Sequence, residues 1–221
     1  MIRGAIFDLD GVLLDSMEIW NDLGERYLLK QGIQPEAGLR DTLFSMSMEQ
    51  GVTYLKEQYQ LSKTPQEIME GLQEMLQDFY FYEVKAKAGA KDLLIFLKER
   101  GVSMTAATSS PREHVIRALQ RTGLLEYLEK IDTTSEVGES KHSPLIYRIS
   151  AEYMRTKPEE TLVFEDSLYA LQTAKQDGFR IVGVYDSEGE TDQAGVKEIS
   201  EVYLKTLMEF PAYYEELKGE R

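Results

Sequence analysis

Ile2-Arg3-Gly4-Ala5-Ile6-Phe7-Asp8-Leu9-Asp10-Gly11-Val12 opens the chain with a short apolar run that stops at two aspartates and a glycine. The run reads as a strand, and the Asp15-Ser16 helix-start signal puts a loop and then a helix beyond its carboxyl end. The same order returns from Ala88-Gly89 onward. A helix around Lys91 to Arg100 stops at Gly101, a strand covers Val102 to Ala107, and Ser110-Pro111-Arg112-Glu113 has the form of a capping box for the next helix. Further short strands are expected near Lys130 to Asp132, Thr161 to Phe164 and Arg180 to Val184, separated by helices near Pro144 to Met154 and Leu168 to Gln176. Such alternation predicts an α/β fold, a Rossmann-like parallel sheet with helices on both faces. The tail from Val202 to Leu217 reads as a closing helix broken or restarted at Pro211, with Glu215, Glu216 and Glu220 as a solvated acidic end.

From Ser16 to about Tyr82 the pattern is helical throughout. Ile19, Leu23 and Tyr27 recur on one face with Trp20 beside them, and Thr64-Pro65-Gln66-Glu67 combines an N-cap, a first-turn proline and the glutamate of a capping box. The stretch reads as a bundle of roughly four helices inserted after the first strand. Two domains are therefore expected: residues 1–15 with 86–221 form the α/β core, and residues 16–85 form the inserted helical bundle. A chain of 221 residues suits one core plus such a module better than two full-sized domains.

Composition is ordinary for a globular protein, 42% hydrophobic and 29% charged, and no apolar stretch approaches the roughly 18 residues that span a bilayer. The first residues run into the apolar strand without the features of a signal peptide, so a cytoplasmic location and no membrane partner are expected. The chain has no cysteine, which leaves its chemistry to oxygen and nitrogen groups. A formal charge of −14, without a cluster of Lys and Arg interleaved with aromatics, argues against nucleic acid as a partner. The same field repels a small phosphorylated molecule. An acidic protein that binds one needs a local positive centre, a metal ion or a buried lysine.

In a parallel α/β sheet, reactive groups collect beyond the carboxyl ends of the strands, where loops and helix N-termini converge. Four places qualify: Asp8-Leu9-Asp10-Gly11-Val12, Thr108-Ser109-Ser110, Lys141 in a loop before a helix, and Glu165-Asp166-Ser167. Two carboxylates after the first strand and two after a later one make an all-oxygen set suited to Mg2+, and a lysine and a hydroxyl complete a phosphate cradle. Taken singly, each has a plainer reading. Asp8 and Asp10 suit a turn, Asp166 a helix cap, Lys141 a solvated surface, and Ser110 an N-cap, which is the preferred reading for that residue. His114 and His142 are not placed as a ligand pair, and His114 is expected on a helix surface. Trp20 and Tyr27 read as core of the first inserted helix before they read as substrate contacts.

Asp8-Leu9-Asp10-Gly11-Val12, Thr108, Lys141 and Glu165-Asp166 match, in order and at typical spacing, the four motifs of the haloacid dehalogenase superfamily. The chain resembles the branch whose helical cap follows the first strand, which holds β-phosphoglucomutase-like and phosphoglycolate phosphatase-like enzymes. The dehalogenases themselves lack the second aspartate, so Asp10 points toward phosphoryl transfer. The resemblance implies a Mg2+-dependent phosphatase of a small phosphorylated metabolite. By it, Asp8 attacks phosphorus to form an acyl phosphate, and Asp10 protonates the departing oxygen and later deprotonates the attacking water. Thr108, Ser109 and Lys141 would bind the phosphate. The metal ligands would be the Asp8 carboxylate, the Asp10 backbone carbonyl, Asp166, and Glu165 directly or through water. A monomer is expected.

Many members of the superfamily follow the third-motif lysine with proline, a spacer, proline and aspartate, whereas this chain reads Lys141-His142-Ser143-Pro144-Leu145. True mutases of this layout carry a histidine on the first cap helix and an arginine that holds the second phosphate. Trp20 and Met48 stand at the matching places, so hydrolysis is expected over sugar-phosphate mutase chemistry. The mutase and a non-catalytic phosphate-binding protein are the alternatives. Sugar phosphates, nucleotides and phosphoglycolate all stay open as substrates. The cap is expected to close over Asp8 when substrate binds, hinging near Leu14 to Ser16 and Lys85 to Ala88.

Overall fold

A computed structural model of the protein describes residues 1–44 and 46–218, so Glu220 of the acidic tail lies outside the described residues. Strand β1 (Gly4–Phe7) leads through a tight loop to the two-residue β2 (Leu14–Asp15). Helices α1 (Met17–Lys30), α2 (Leu39–Phe44), α3 (Met48–Gln58) and α4 (Pro65–Asp78) follow, then a π-helical turn at Phe79–Glu83. Next come β3 (Lys85–Ala86), α5 (Ala90–Lys98), β4 (Ser103–Thr108), α6 (Arg112–Thr122), β5 (Lys130–Thr133), α7 (Thr134–Val137) and α8 (Leu145–Met154). The chain closes with β6 (Thr161–Glu165), α9 (Leu168–Gln176), β7 (Arg180–Val184), α10 (Gln193–Ile199), β8 (Val202–Leu204) and α11 (Phe210–Lys218). It forms two compact units, one of Met1–Asp15 with the residues from Val84 onward, the other of Ser16–Glu83.

The first unit is built on a six-stranded sheet in the order β5-β4-β1-β6-β7-β8, every neighbouring pair parallel. β1, β6 and β7 are buried along their whole length and, apart from Thr161, Glu165 and Arg180 at their ends, read as apolar runs, as expected of strands covered on both faces. Side chains alternate between the faces. Ile6, Ala107, Val163 and Ile181 share one face with Tyr147 and Ala151 of α8 and Leu171 and Ala174 of α9. Phe7 and Phe164 face the other side, stacked at 4.5 Å, and Phe164 meets Phe210 of α11 at 5.1 Å. Each such side chain contributes about 1.5–3 kcal/mol by leaving water. Gly183 in β7 lets α10 approach, since a Cβ there would lie 2.8 Å from Val196 Cγ1.

The tail corrects the expectation of one broken helix. Val202–Leu204 is the edge strand β8, paired in parallel with β7, and the helix begins only at Phe210. Pro211 sits in its first turn, where an absent N–H is no loss. Three residues are too few to show a two-residue period, so only the exposed edge of β7 reveals this strand.

Within Ser16–Glu83, Ile19, Leu23 and Tyr27 are buried on one stripe of α1. Trp20 is 41% exposed, contrary to the core reading, because one residue along a 3.6-residue turn swings a side chain about 100° off that stripe. Gly71 of α4 admits the Tyr27 ring, since a Cβ there would lie 2.7 Å from Tyr27 Cε2. The Thr64 capping box forms as expected: Thr64 Oγ1 accepts from the Glu67 N–H at 3.2 Å, and the Glu67 carboxylate accepts from the Thr64 N–H at 2.7 Å.

Candidate active site

β1 runs between β4 and β6, and its register sets Phe7 opposite Ala106 on one side and Phe164 on the other. Asp8, Thr108 and Glu165, just beyond, therefore leave the sheet at the same edge. This is the point where successive strands are laid down in opposite directions, the usual crevice of open α/β sheets. The Asp8 N–H extends the ladder to the Phe164 carbonyl at 2.9 Å, which fixes the backbone under the carboxylate.

Lys141 comes from the turn between α7 and α8. Its ammonium donates to Asp8 Oδ1 and, at 2.5 Å, to Glu165 Oε1, with all three side chains buried. Glu165 Oε2 accepts from the N–H groups of Asp166 at 2.9 Å and Ser167 at 3.2 Å, just ahead of α9, and the first amide of the helix itself, that of Leu168, donates to Glu190 Oε2 at 3.2 Å. Asp8, Glu165 and Asp166 each offer one oxygen in a set whose members all lie within 4.8 Å of one another, and this set could hold a metal ion. The departure after the third-motif lysine does not displace it. The His142 ring stacks on Tyr169 at 4.4 Å and ties the Lys141 turn to the start of α9.

Asp10 is only half-buried, and its carboxylate is not among those three. It accepts instead from Ser110 Oγ at 2.6 Å. This corrects the cap reading of Ser110: Pro111 holds the N-cap position of α6, with no side-chain cap and no capping box. Thr108 Oγ1 accepts from the Ser110 N–H at 3.0 Å, which leaves its own O–H free to donate elsewhere. Ser109 is exposed just beyond β4 and stands outside the hydrogen-bonded cluster. His114 is half-buried on α6, not on an open surface, and that burial pulls its pKa below the ordinary value despite Glu113 and Asp10 nearby.

Three buried carboxylates lie around one ammonium, which bonds two of them, Asp8 and Glu165. Burial pushes the Asp8 carboxyl up to about 8, against the pull of Lys141 and with added repulsion from Glu165 and Asp10. Asp166 is raised for the same reasons, burial first and then Glu165 and Asp8. Burial works against the charge of Lys141, but Asp8 and Glu165 outweigh it, and the lysine holds its proton well above the ordinary range. The surplus is thus negative. A divalent cation among hard oxygen donors would offset it, and the donor set fits one.

Sequence reasoning missed the Ser110 contact with Asp10 and the crowding of Gly189 against Asp166, where a Cβ would lie 2.8 Å from Oδ2. Only the position of Ser110, two residues past Thr108, hinted at the first, and nothing in the sequence signalled the second.

The chain belongs to the haloacid dehalogenase-like hydrolases, whose family profile matches residues 5–184. It is 26% identical over 187 residues to the phosphorylated carbohydrates phosphatase of Thermotoga maritima, covering 84% of this chain and 87% of that one. It is 24% identical over 214 residues to hexitol phosphatase B of Escherichia coli K12, covering 96% and 95%. A crystal structure from Thermotoga maritima, provisionally described as a beta-phosphoglucomutase, superposes with a TM-score of 0.86 at 24% identity over 97% of this chain and 99% of that one. That likeness establishes the fold. No helix among the described residues is long and apolar enough to cross a membrane.

Proposed function

We propose that the protein is a Mg2+-dependent phosphatase that hydrolyses a small phosphorylated metabolite through an acyl phosphate on Asp8. The observation that carries this reading is the Lys141 ammonium shared by Asp8 and Glu165, with Asp166 in the same small set of oxygens. A carboxylate attacks a phosphate dianion only where the repulsion between them is offset. Lys141 supplies one fixed cation for that purpose and holds Asp8 in place. Mg2+ would be held by the carboxylates of Asp8 and Asp166 and the Asp10 carbonyl, and it supplies Lewis-acid charge at the phosphoryl oxygens. Both oxygens of Glu165 already accept hydrogen bonds, which favours its acting through water.

In the first step an Asp8 oxygen bonds to phosphorus while the ester P–O bond breaks, and the Asp10 carboxyl gives its proton to the departing oxygen. In the second, Asp10 takes a proton from water as that water attacks phosphorus and Asp8 is released. Thr108 donates to a phosphoryl oxygen, with Ser109 beside it. The named activities of the relatives support a phosphorylated carbohydrate as substrate. In this reading Ser16–Glu83 is a cap that closes during turnover, and the protein works as a cytoplasmic monomer. Exposed Trp20 and the apolar Met48 offer no clamp for a second phosphate, which favours hydrolysis over mutase chemistry.

Hydroxylamine added during turnover tests the covalent step, because it converts an acyl phosphate to a hydroxamate. Mass spectrometry should place the hydroxamate on Asp8, and Asp8→Asn should abolish turnover while keeping the fold. Substantial turnover by that variant rejects the mechanism.

A further inference from the structure

We infer that Lys87 is a positioning residue for the Asp10 loop. The inference rests on the reading of Asp10 as the proton donor. An ammonium has three hydrogens, and Lys87 Nζ meets three acceptors on two distant segments: the Gly11 carbonyl, the Tyr185 carbonyl at 2.7 Å and Asp186 Oδ2 at 2.8 Å. Its backbone N–H donates to the Leu13 carbonyl at 2.9 Å. One residue therefore grips the loop after β1 at two points and ties it to the end of β7.

The loop needs that grip. Gly11 lies at φ +76°, so the chain turns sharply directly after Asp10. Three of the loop's own bonds converge on the Leu9 carbonyl, which accepts from Val12, Leu13 and Leu14 at 3.3, 3.0 and 2.7 Å, and a fourth runs from the Gly11 N–H to the Leu14 carbonyl at 3.0 Å. The Gly11 carbonyl, next along the chain from Asp10, is held by Lys87. Asp186 extends the network to the other side of the site. Its Oδ1 accepts from the Glu188 N–H at 2.8 Å, in the turn whose Gly189 abuts Asp166. The pair is sheltered, with side-chain exposures of 17% for Lys87 and 5% for Asp186, so it is screened less than a surface ion pair.

A misplaced proton donor harms poor leaving groups more than good ones, and kcat/KM reports the step in which the leaving group departs. The test compares phenyl phosphate with p-nitrophenyl phosphate, whose phenolate needs no proton. Lys87→Met keeps the apolar stem and removes all three donors. It should lower kcat/KM for phenyl phosphate roughly tenfold and for p-nitrophenyl phosphate by no more than about twofold. Lys87→Arg, which keeps charge and donors, should recover part of the loss. An equal fall on both substrates, or none, overturns the inference, since a merely loosened fold does not sense the leaving group. Lys87→Gln, too short for all three acceptors, repeats the comparison if Lys87→Met does not fold. Asp10→Asn is the control. If it shows no leaving-group dependence, the reading of Asp10 fails; if it does and neither Lys87→Met nor Lys87→Gln follows, the positioning role alone fails.

Discussion

Ser110 Oγ donates to Asp10 Oδ2 at 2.6 Å across a separation of 100 residues. The bond holds the carboxylate in one rotamer at the mouth of the sheet, where a proton donor has to be aimed to be useful. Ser110→Ala should lower kcat roughly five- to tenfold, the equivalent of one hydrogen bond of about 1–1.4 kcal/mol, with an unchanged melting temperature. Added to Asp10→Asn it should cost nothing further, and additive losses in that double-mutant cycle reject the coupling.

The Asp8 carboxyl, raised to about 8 from 3.8, keeps in the folded chain a proton that the unfolded chain has released. Its contribution to stability is whole below pH 4 and is lost as pH rises toward 8. Mg2+ competes with that proton, so the rise in melting temperature on adding Mg2+ should be larger at pH 8 than at pH 5. Subtracting the profile of Asp8→Asn isolates this group. An equal Mg2+ effect at both pH values counts against Asp8 as a ligand.

Asp166 is the carboxylate of the set with no lysine on it, and burial beside Glu165 and Asp8 raises its pKa, so its charged form is the one a cation would favour. Asp166→Asn should raise the Mg2+ concentration needed for half-maximal activity by roughly ten- to a hundredfold, with partial recovery at excess Mg2+. Absence of any recovery removes Asp166 from the ligand set.

Trp20 is the single tryptophan of the chain and is 41% exposed, which makes it a reporter for the cap. Mg2+ with orthovanadate, a phosphate mimic, should shift its emission to the blue if closure covers it. The wild type should release phosphate from β-glucose 1-phosphate or leave it untouched. Efficient conversion to glucose 6-phosphate, primed by the bisphosphate, promotes the mutase reading. Trp20→His with Met48→Arg tests whether a second-phosphate clamp introduces that conversion.

Gly183 sits in mid-sheet at ordinary φ, so its role is space and not conformation. Gly183→Ala should cost about 1–3 kcal/mol, as a methyl 2.8 Å from Val196 Cγ1 drives α10 off β7. Thermal denaturation measures it, and an unchanged midpoint shows that α10 moves aside freely.

Much of the α/β architecture was legible in the residues. Buried strands covered on both faces leave unbroken apolar runs such as residues 4–7 and 181–184, and helices leave caps such as Thr64 with Glu67. The order of Asp8, Thr108, Lys141 and Glu165-Asp166 pointed to residues that the fold does gather at one edge. Those signals are local, set by backbone geometry and by which faces must leave water.

Only the tertiary structure decided the rest. That β1 lies between β4 and β6 follows from how crossovers pack, and together with the turn between α7 and α8 it brings Asp8 against Lys141, 133 residues away. The partners of Ser110 and Lys87 were chosen in the same way: a buried hydroxyl or a half-buried ammonium takes the acceptor that packing presents, and no short-range pattern encodes an acceptor 76 to 100 residues distant. β8 became a strand because the edge of β7 offered unpaired backbone groups to three residues that could as well have continued a helix.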